Sequence, residues 1–332
     1  MAAIYPPPDL APRLHCTALD MTSGLTIRLH EALTSAIAPA LCGAVRDVAA
    51  GREHIWLDLE DVKVTDVVGL AATLQACRFL QAAGVKVSVM PSAAVYRALL
   101  SAAILEELPL ERHGVAPPDG TPLVELGTGN DAAGAVASTS RVDVRPPLWD
   151  ELELIAQWAK EPLLDQMVGS SLLYMCRHLG PYHPEVVARA LHDPTAFTAL
   201  VHGADGAAPA GFVRLYGVNL SEGFGFLEAA LVDRRALRAG LGIEASRLVV
   251  AWAMDALGLR RVEAKVYAYN VLSVNSLRRN GFAEEGVLRR ARTWDGQQWD
   301  IVVFAILEDE MRRQRAREDF PYMGFWPRDD GP

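Results

Sequence analysis

The sequence predicts an α/β (α+β) protein built of two domains, and three observations predict it. The chain has 332 residues, which is more than one average domain needs. A stretch of small residues, Gly127–Ser140, interrupts the apolar pattern. On both sides of it, short apolar runs typical of strands alternate with segments of helical periodicity. We therefore expect a first domain over 12–112, a flexible linker over 113–141, a second domain over 142–312 and a tail over 313–332.

In the first domain, the order strand, helix, strand predicts a parallel sheet. His54–Leu59 and Val85–Met90 are short buried runs typical of strands. Between them, apolar residues recur at helical spacing until Gly84, which favours a helix end. Ser92 is a good N-terminal cap and predicts a further helix that runs to about Leu105.

The second domain begins with a strand near 142–147, followed by helical segments to about 190. Strand patterns then cover 197–203, 210–218, 224–232 and 262–269, and a helical pattern covers 243–257. The Asp295-Gly296 pair predicts the tip of a final hairpin.

Composition excludes several protein classes. Hydrophobic residues make up 51% of the chain and charged residues 22%, which is typical of a globular protein. The net charge of -9 argues against binding nucleic acid, because phosphate contacts need a concentrated basic surface. The longest charge-free apolar stretch, Ala32–Val45, is too short to span a bilayer, so we expect no membrane partner.

The four cysteines predict neither a metal site nor a disulfide framework. They are scattered, with no Cys-x-x-Cys pair and no histidine at metal-ligand spacing. The N-terminus lacks the basic start and apolar run of a secretory signal. We expect buried thiols in a reducing compartment, and therefore a cytoplasmic protein.

Two glycines one residue apart at a helix start raise the question of what they serve. They lie in the stretch LRAGLGIEAS, residues 237–246. Such a pair lets backbone N–H groups approach a ligand closely, and a helix N-terminus favours an anion such as a pyrophosphate. The alternative is that Gly240 and Gly242 only permit a tight turn.

Four linked motifs then become recognisable in the second domain. They are Asp233, the run Gly240–Leu248, the run Tyr269–Arg290, and Asp295–Asp300. In this order and spacing they resemble the GNAT superfamily of N-acetyltransferases, closest to the branch that acetylates ribosomal-protein N-termini. The resemblance implies a central mixed sheet with two splayed strands, and acetyl-CoA as the acyl donor.

The resemblance also implies a set of site residues. The pyrophosphate of coenzyme A would meet the loop and helix start, and Leu231 or Val232 would supply an N–H to the thioester carbonyl. Glu228 would be the general base, although a solvated or ion-paired strand carboxylate is equally open. The implied cofactor-binding residues of the loop are Arg238, Ala239, Gly240, Leu241, Gly242, Ile243 and Glu244.

Two polar residues after the fifth strand of this domain complete the implied site. Ser273 would donate to the leaving thiolate, or alternatively cap the helix that ends at Asn280. Asn270 would bind the pantetheine arm or order the turn. The acceptor pocket would draw on one or two aromatic or histidine side chains from the helical segments and the last hairpin. The candidates are Trp158, Tyr174, His178, Tyr182, His183, Trp294 and Trp299.

The sequence departs from the resembled branch at two positions. Leu237 stands where an arginine or glutamine is usual, which puts the register of the phosphate contacts in question. Arg292 stands where the branch has a glutamate before the final hairpin, which points to a different acceptor.

The first domain is similar to STAS domains, the fold of anti-sigma-factor antagonists. The resemblance covers about 12–112 and centres on Asp58-Leu59 followed by Asp66-Val67-Val68-Gly69. In that family the last motif reads Asp-Ser-Ser-Gly, and phosphorylation of its serine switches partner affinity. Valines replace both serines here. We expect Asp66 to cap a helix, and Val67 and Val68 to form a constitutive docking or dimerisation surface; the alternative is a purely structural domain.

Taken together, the sequence predicts an acetyl-CoA-dependent N-acetyltransferase that acts directly on a primary amine. The acceptor would be a small biosynthetic amine, an aminoacyl compound or a protein N-terminus, and direct attack within a ternary complex needs no acyl-enzyme. The alternative is a non-enzymatic regulator that senses acyl-CoA or binds a partner through the STAS-like domain.

Overall fold

The structure is a computed structural model whose described residues form one large sheet in each half of the chain and a small two-stranded sheet in the first half. It describes residues 15–16, 24–111, 117, 121–126, 136–178, 187, 191, 193–203, 208–318 and 321–326. The first half contains strands β1 (His15–Cys16), β2 (Gly24–Leu29), β3 (Glu31–Leu33), β4 (His54–Leu59), β5 (Val62–Thr65), β6 (Lys86–Pro91) and β7 (Leu123–Leu126). Its helices are Ala38–Ala49, Val67–Ala82 and Ala93–Ser101, with a 3-10 turn at Leu105–Glu107.

The first sheet has the order β1-β7-β2-β4-β6, and β3 pairs with β5 in a separate two-stranded sheet. The strands β7, β2, β4 and β6 are parallel to their neighbours, while β1 is antiparallel. The predicted parallel unit of β4, the helix Val67–Ala82 and β6 is confirmed. Ser92 also caps its helix as predicted, since its Oγ accepts from the Val95 N–H at 3.2 Å; that helix ends at Ser101 rather than near Leu105.

The second half forms one long sheet that carries the site. Its strands are β8 (Ala137–Ser138), β9 (Val142–Arg145), β10 (Phe197–Gly203), β11 (Gly211–Asn219), β12 (Phe224–Leu231), β13 (Arg261–Tyr267), β14 (Ala283–Trp294) and β15 (Gln297–Leu307). Its helices are Leu152–Trp158, Pro162–Met167, Ser171–His178, Arg234–Ala239, Leu241–Ala256, Val271–Arg279 and Glu308–Glu318, and Trp149–Glu151 is a 3-10 turn.

This sheet has the order β14-β15-β13-β12-β11-β10-β9-β8, and its pairs are antiparallel except β12 with β13. The predicted Asp295-Gly296 hairpin tip is confirmed, because both residues have positive φ between β14 and β15. The helix Leu241–Ala256 packs on one face in the main core, and the helical segments before β10 pack on the other.

The predicted linker over 113–141 is too long at both ends. Leu123–Leu126 forms β7, whose Val124 and Leu126 are buried, and Ala137–Ser138 forms β8. Both strands are short and lie among small residues and prolines, so they give little periodic signal. The central part of the predicted linker, 127–135, lies outside the described residues.

Val67 and Val68 do not form the docking surface that we expected. Both side chains are fully buried in the core of the first domain. Asp66 does cap the helix, and its Oδ1 accepts from the N–H groups of Val68 and Gly69 at 2.9 Å each. Gly69 permits close packing, since a Cβ there would lie 2.1 Å from the Leu33 carbonyl oxygen. The motif therefore fixes a helix start inside the fold.

The two domains contact each other directly. The Gln75 side chain donates to the Ala256 carbonyl at 2.8 Å, which joins the helix Val67–Ala82 to the C-terminal end of the helix Leu241–Ala256. Trp326 stacks on Phe79 with ring centroids 4.6 Å apart. The end of the described chain thus lies between the domains.

Candidate active site

The strands β12 and β13 separate and open a cavity in the middle of the second sheet. They pair only at Phe224–Phe226 against Arg261–Glu263, although β12 continues to Leu231 and β13 to Tyr267. Beyond the paired part lies a cavity of about 710 Å³, lined on one side by Leu227–Leu231 and on the other by Ala264–Tyr267. The predicted splay of the two strands is confirmed.

The two glycines at the mouth of this cavity have different physical reasons. Gly240 has a φ of 77°, ends the helix Arg234–Ala239 and begins the helix Leu241–Ala256. A Cβ on Gly242 would lie 3.0 Å from Leu231 Cδ1, so glycine lets the helix start approach β12 closely. Gly240 therefore permits the turn between the two helices, and Gly242 lets the helix N-terminus lie at the cavity.

The helix start leaves backbone donors at the cavity. The Gly240 carbonyl accepts from Ile243 N at 3.1 Å and from Glu244 N at 3.3 Å. Leu241 and Gly242 occupy the first two helical positions, whose N–H groups have no partner within a helix. These two N–H groups and the positive end of the helix dipole suit a phosphate.

The predicted loop contacts are only partly brought together. Arg238, Gly240, Gly242 and Ile243 line the cavity. Ala239, Leu241 and Glu244 are not among the lining residues. The Glu244 carboxylate instead meets Thr139 Oγ1 at 2.5 Å and Arg141 at 3.1 Å. Sequence spacing could not anticipate this pairing, because Thr139 and Arg141 lie about a hundred residues earlier.

Of the two predicted oxyanion donors, Leu231 is the one whose N–H remains available. The Val232 N–H donates to the Ala210 carbonyl at 2.8 Å, so it is not available and the prediction for Val232 is wrong. In an antiparallel pair the N–H groups alternate between the partner strand and the opposite side. Leu231 therefore directs its N–H away from β11, towards the gap where β13 has separated.

Glu228 lines the cavity from β12 and lies opposite Arg214 in the strand register. The Ser170 hydroxyl donates to its carboxylate. Its other oxygen, Oε1, is buried and has no hydrogen-bond partner among the described residues. Burial raises the pKa of Glu228, and the Ser170 hydrogen bond and the charge of Arg214 partly oppose that rise. A carboxyl with one free acceptor oxygen in a cavity suits proton transfer.

Asn270 and Ser273 are adjacent at the start of the helix Val271–Arg279, and both line the cavity. Asn270 Oδ1 accepts from the Ser273 N–H at 3.1 Å, so Asn270, and not Ser273, is the cap. Asn270 Nδ2 donates to the Met167 carbonyl at 3.0 Å. This favours the turn-ordering role for Asn270 and leaves the Ser273 hydroxyl at the cavity.

Arg292 connects β14 to the end of the helix Pro162–Met167. Its Nη2 donates to the Asp165 carbonyl at 3.3 Å, and Tyr269 donates to the next carbonyl, Gln166, at 2.6 Å. The Arg292 guanidinium lies 4.7 Å from the Tyr267 ring centroid and 5.2 Å from that of Trp294. Arg292, which stands where the resembled branch has a glutamate, therefore holds the end of the helix Pro162–Met167 in place.

The aromatic and histidine residues that we expected at the acceptor do not line the cavity where they are described. Trp158 is buried in a core cluster, Tyr174 is exposed beside His178, and Trp299 packs on Tyr269. Tyr182 and His183 lie outside the described residues. The cavity is lined instead by another group of residues, which we refer to as the acceptor side: Met167, Val168, Gly169, Tyr216, Tyr267 and Ile301.

Sequence reasoning also missed several polar residues that line the cavity, among them Lys265, Tyr267 and Arg279. Strand alternation offered a signal for two of them, since Lys265 and Tyr267 are two residues apart on β13 and share a face with Glu263. Arg279 ends the helix Val271–Arg279 and adds a cation to the cavity that Arg238 also lines.

In the ranges that the structure covers, no helix is long and apolar enough to cross a membrane. Within the same ranges, no group of three or more histidine, cysteine, aspartate or glutamate residues is arranged to hold a metal ion.

Comparisons with known proteins point to one family for the second half. Residues 141–283 match the family described as the acetyltransferase (GNAT) domain. The uncharacterized N-acetyltransferase YoaA of Bacillus subtilis is 37% identical over 71 residues, which cover 21% of this chain and 40% of that protein. The matched part is thus less than half the length of that relative.

Solved structures are similar at low identity. RimJ of Mycobacterium smegmatis in complex with CoA-disulfide is 21% identical with a TM-score of 0.45, covering 53% of this chain and 89% of its own. A chimera of the spermidine N-acetyltransferase SpeG from Vibrio cholerae and hSSAT is 18% identical with a TM-score of 0.43, covering 52% and 98%. The family match over residues 141–283 shows a GNAT-type acetyltransferase domain in the C-terminal half, and domains of this type use acetyl-CoA.

Proposed function

We propose that the protein transfers the acetyl group of acetyl-CoA directly to a primary amine within a ternary complex. One observation carries the proposal: a single cavity holds a helix N-terminus with open backbone donors at one end and Glu228 on its wall. Holding donor and acceptor together in one cavity supplies much of the rate advantage.

For the donor, we infer contacts along the length of the cavity. The N–H groups of Leu241 and Gly242 would bind the pyrophosphate, with Arg238 and Arg279 adding positive charge nearby. The backbone of Leu227–Leu231 and Ala264–Tyr267 would bind the pantetheine arm in the gap. This places the thioester next to the Leu231 N–H, in the position of an oxyanion donor.

For the reaction, the neutral amine nitrogen attacks the thioester carbon. The amine proton passes to Glu228 Oε1, directly or through a water, while the Leu231 N–H stabilises the negative charge on the carbonyl oxygen. The new C–N bond forms as the C–S bond breaks, and the Ser273 hydroxyl stabilises the leaving thiolate. A small amine, an aminoacyl compound and a protein N-terminus all fit this chemistry.

Replacement of Ser273 by alanine is expected to lower kcat about ten-fold with little change in coenzyme A affinity. The hydroxyl would act on the thiolate that forms late in the reaction, and one lost hydrogen bond to a charged group has about this effect on a rate. The measurement is release of free thiol from acetyl-CoA with a panel of amines. Ser221→Ala, in an exposed turn, is the control.

The same assay separates the enzyme from an acyl-CoA sensor. Thiol release that depends on added amine supports the proposal. Tight acyl-CoA binding without turnover on any amine would instead favour the sensor.

For the first domain, we propose a STAS-like fold whose main role is structural. The burial of Val67 and Val68 and the direct contacts with the second domain support this over the constitutive docking surface. Association with a copy or a partner through another face is the competing possibility, and light scattering across protein concentrations tests it for self-association. The free, buried thiols of Cys42, Cys77 and Cys176 suit a cytoplasmic location.

A further inference from the structure

The face of β13 that looks onto the acceptor side carries a lysine with no acidic partner. Lys265 lines the cavity, and its Nζ lies 4.8 Å from the centre of the Phe226 ring. No carboxylate of the described residues forms an ion pair with it. A cation that lines a substrate cavity without a counter-charge favours an anionic group on the substrate.

Among the described cations that line the cavity, Lys265 is the one that the proposed function does not assign to coenzyme A. Among the described residues that line it, Glu228 is the one carboxylate, whereas Arg238, Lys265 and Arg279 are cations. Arg238 lies near Gly240 and Gly242 at the mouth of the cavity. Lys265 lies on β13, two residues before Tyr267, on the acceptor side. A substrate with several amines needs several carboxylates, and this cavity offers it one.

A pair of aromatic side chains lies on β11 and β12 close to Glu228. Tyr216 and Phe226 stack with centroids 5.4 Å apart on neighbouring strands. Phe226 and Glu228 are two residues apart on β12, so their side chains share a face at a separation of about 7 Å. An amine bound at Glu228 can therefore lay its apolar body along Tyr216, which lines the cavity, and bring its far end to Lys265.

We propose that Lys265 is a specificity-determining residue, and that the acceptor is a monoamine whose apolar body ends in an anionic group. Polyamines are poor acceptors, because their second ammonium group would meet Lys265. This inference rests on the proposed function and narrows its acceptor class. The amine and the anionic group of such an acceptor are expected to be separated by about four or five methylene groups, because Lys265 Nζ lies over Phe226, two residues along β12 from Glu228.

Three five-carbon amines that differ only at the far end test this proposal. They are 5-aminopentanoate, pentylamine and cadaverine, which end in a carboxylate, a methyl and an ammonium group. We expect kcat/KM to be about five-fold higher for 5-aminopentanoate than for cadaverine, the upper end of the effect of one exposed ion pair. The difference is expected mainly in KM, because the far end binds equally in the ground and transition states.

Charge reversal provides the decisive comparison. Lys265→Glu is expected to invert the order, so that cadaverine becomes the better acceptor, and Lys265→Gln is expected to remove the difference. Lys160→Glu is the matched control, since Lys160 is an exposed lysine of the same domain outside the cavity lining. It is expected to leave the order unchanged.

The outcomes separate this inference from the proposed function. Equal rates for 5-aminopentanoate and cadaverine, or an order that Lys265→Glu does not change, overturn the inference. Turnover of alanine amide but of none of the three probes overturns it as well and leaves the proposed function standing. If no amine at all releases thiol from acetyl-CoA, both fail.

Discussion

Replacement of Glu228 by glutamine is expected to lower kcat/KM by two to four orders of magnitude. The change keeps the shape and the Ser170 contact but removes the group that accepts the amine proton, and general-base catalysis contributes about that much. Coenzyme A affinity is expected to stay within about two-fold, because Glu228 faces the acceptor side. Steady-state kinetics at saturating acetyl-CoA measure the loss.

The pH dependence gives a second reading of the same residue. Burial raises the pKa of Glu228 above its ordinary value of 4.5, against the opposing effects of Ser170 and Arg214. Because the base acts when ionised, kcat/KM is expected to fall as the pH drops through that raised pKa. Arg214→Met removes a neighbouring cation and is expected to move this limb to higher pH. Glu222→Gln, in the turn before β12, is the control; a Glu228→Gln enzyme with full activity and an unchanged limb would disprove the base assignment.

Replacement of Arg315 by alanine is expected to cost about 3–5 kcal/mol of folding free energy. Arg315 and Asp255 form a buried pair, with their side chains 8% and 7% exposed and the two closest contacts at 2.7 and 2.9 Å. Asp255 also accepts from the Met323 N–H at 2.9 Å. Removal of the guanidinium leaves a buried carboxylate without its counter-charge.

Chemical denaturation monitored by tryptophan fluorescence measures this effect. Arg313→Ala is the matched control. Arg313 lies on the same helix, and its ion pair with Asp309, one turn earlier, is exposed. That change is expected to cost about 0.5 kcal/mol or less. Equal losses for the two variants would show that the buried pair does not hold the end of the chain in place.

The local features of the fold could be predicted from sequence because their causes are local. Asp66 and Ser92 cap helices through hydrogen bonds within three residues, and Asp295-Gly296 turns a hairpin with its own backbone. The strand β7 was missed because its place in the sheet depends on β2, about a hundred residues away. A four-residue strand has too little pattern of its own.

The site divides in the same way. The two glycines at the mouth of the cavity could be recognised in the sequence. A positive φ at Gly240 and a close approach at Gly242 both favour glycine, which is visible in the sequence itself. The roles of Asn270 and Arg292 could not be, because each depends on a carbonyl more than a hundred residues earlier in the chain. The free N–H of Leu231 rather than Val232 follows from strand register, which spacing alone does not fix.

Titration calorimetry of coenzyme A against the wild-type protein and Gly242→Val tests the central claim most directly. The account predicts one site per chain in the wild type, and at least a ten-fold loss in the variant, whose side chain would enter the narrow space between the helix start and Leu231. Gly43→Ala, in the first domain and with open space around its Cβ position, is expected to bind normally. Absence of binding by the wild type, or equal binding by Gly242→Val, would contradict a phosphate site at this helix start.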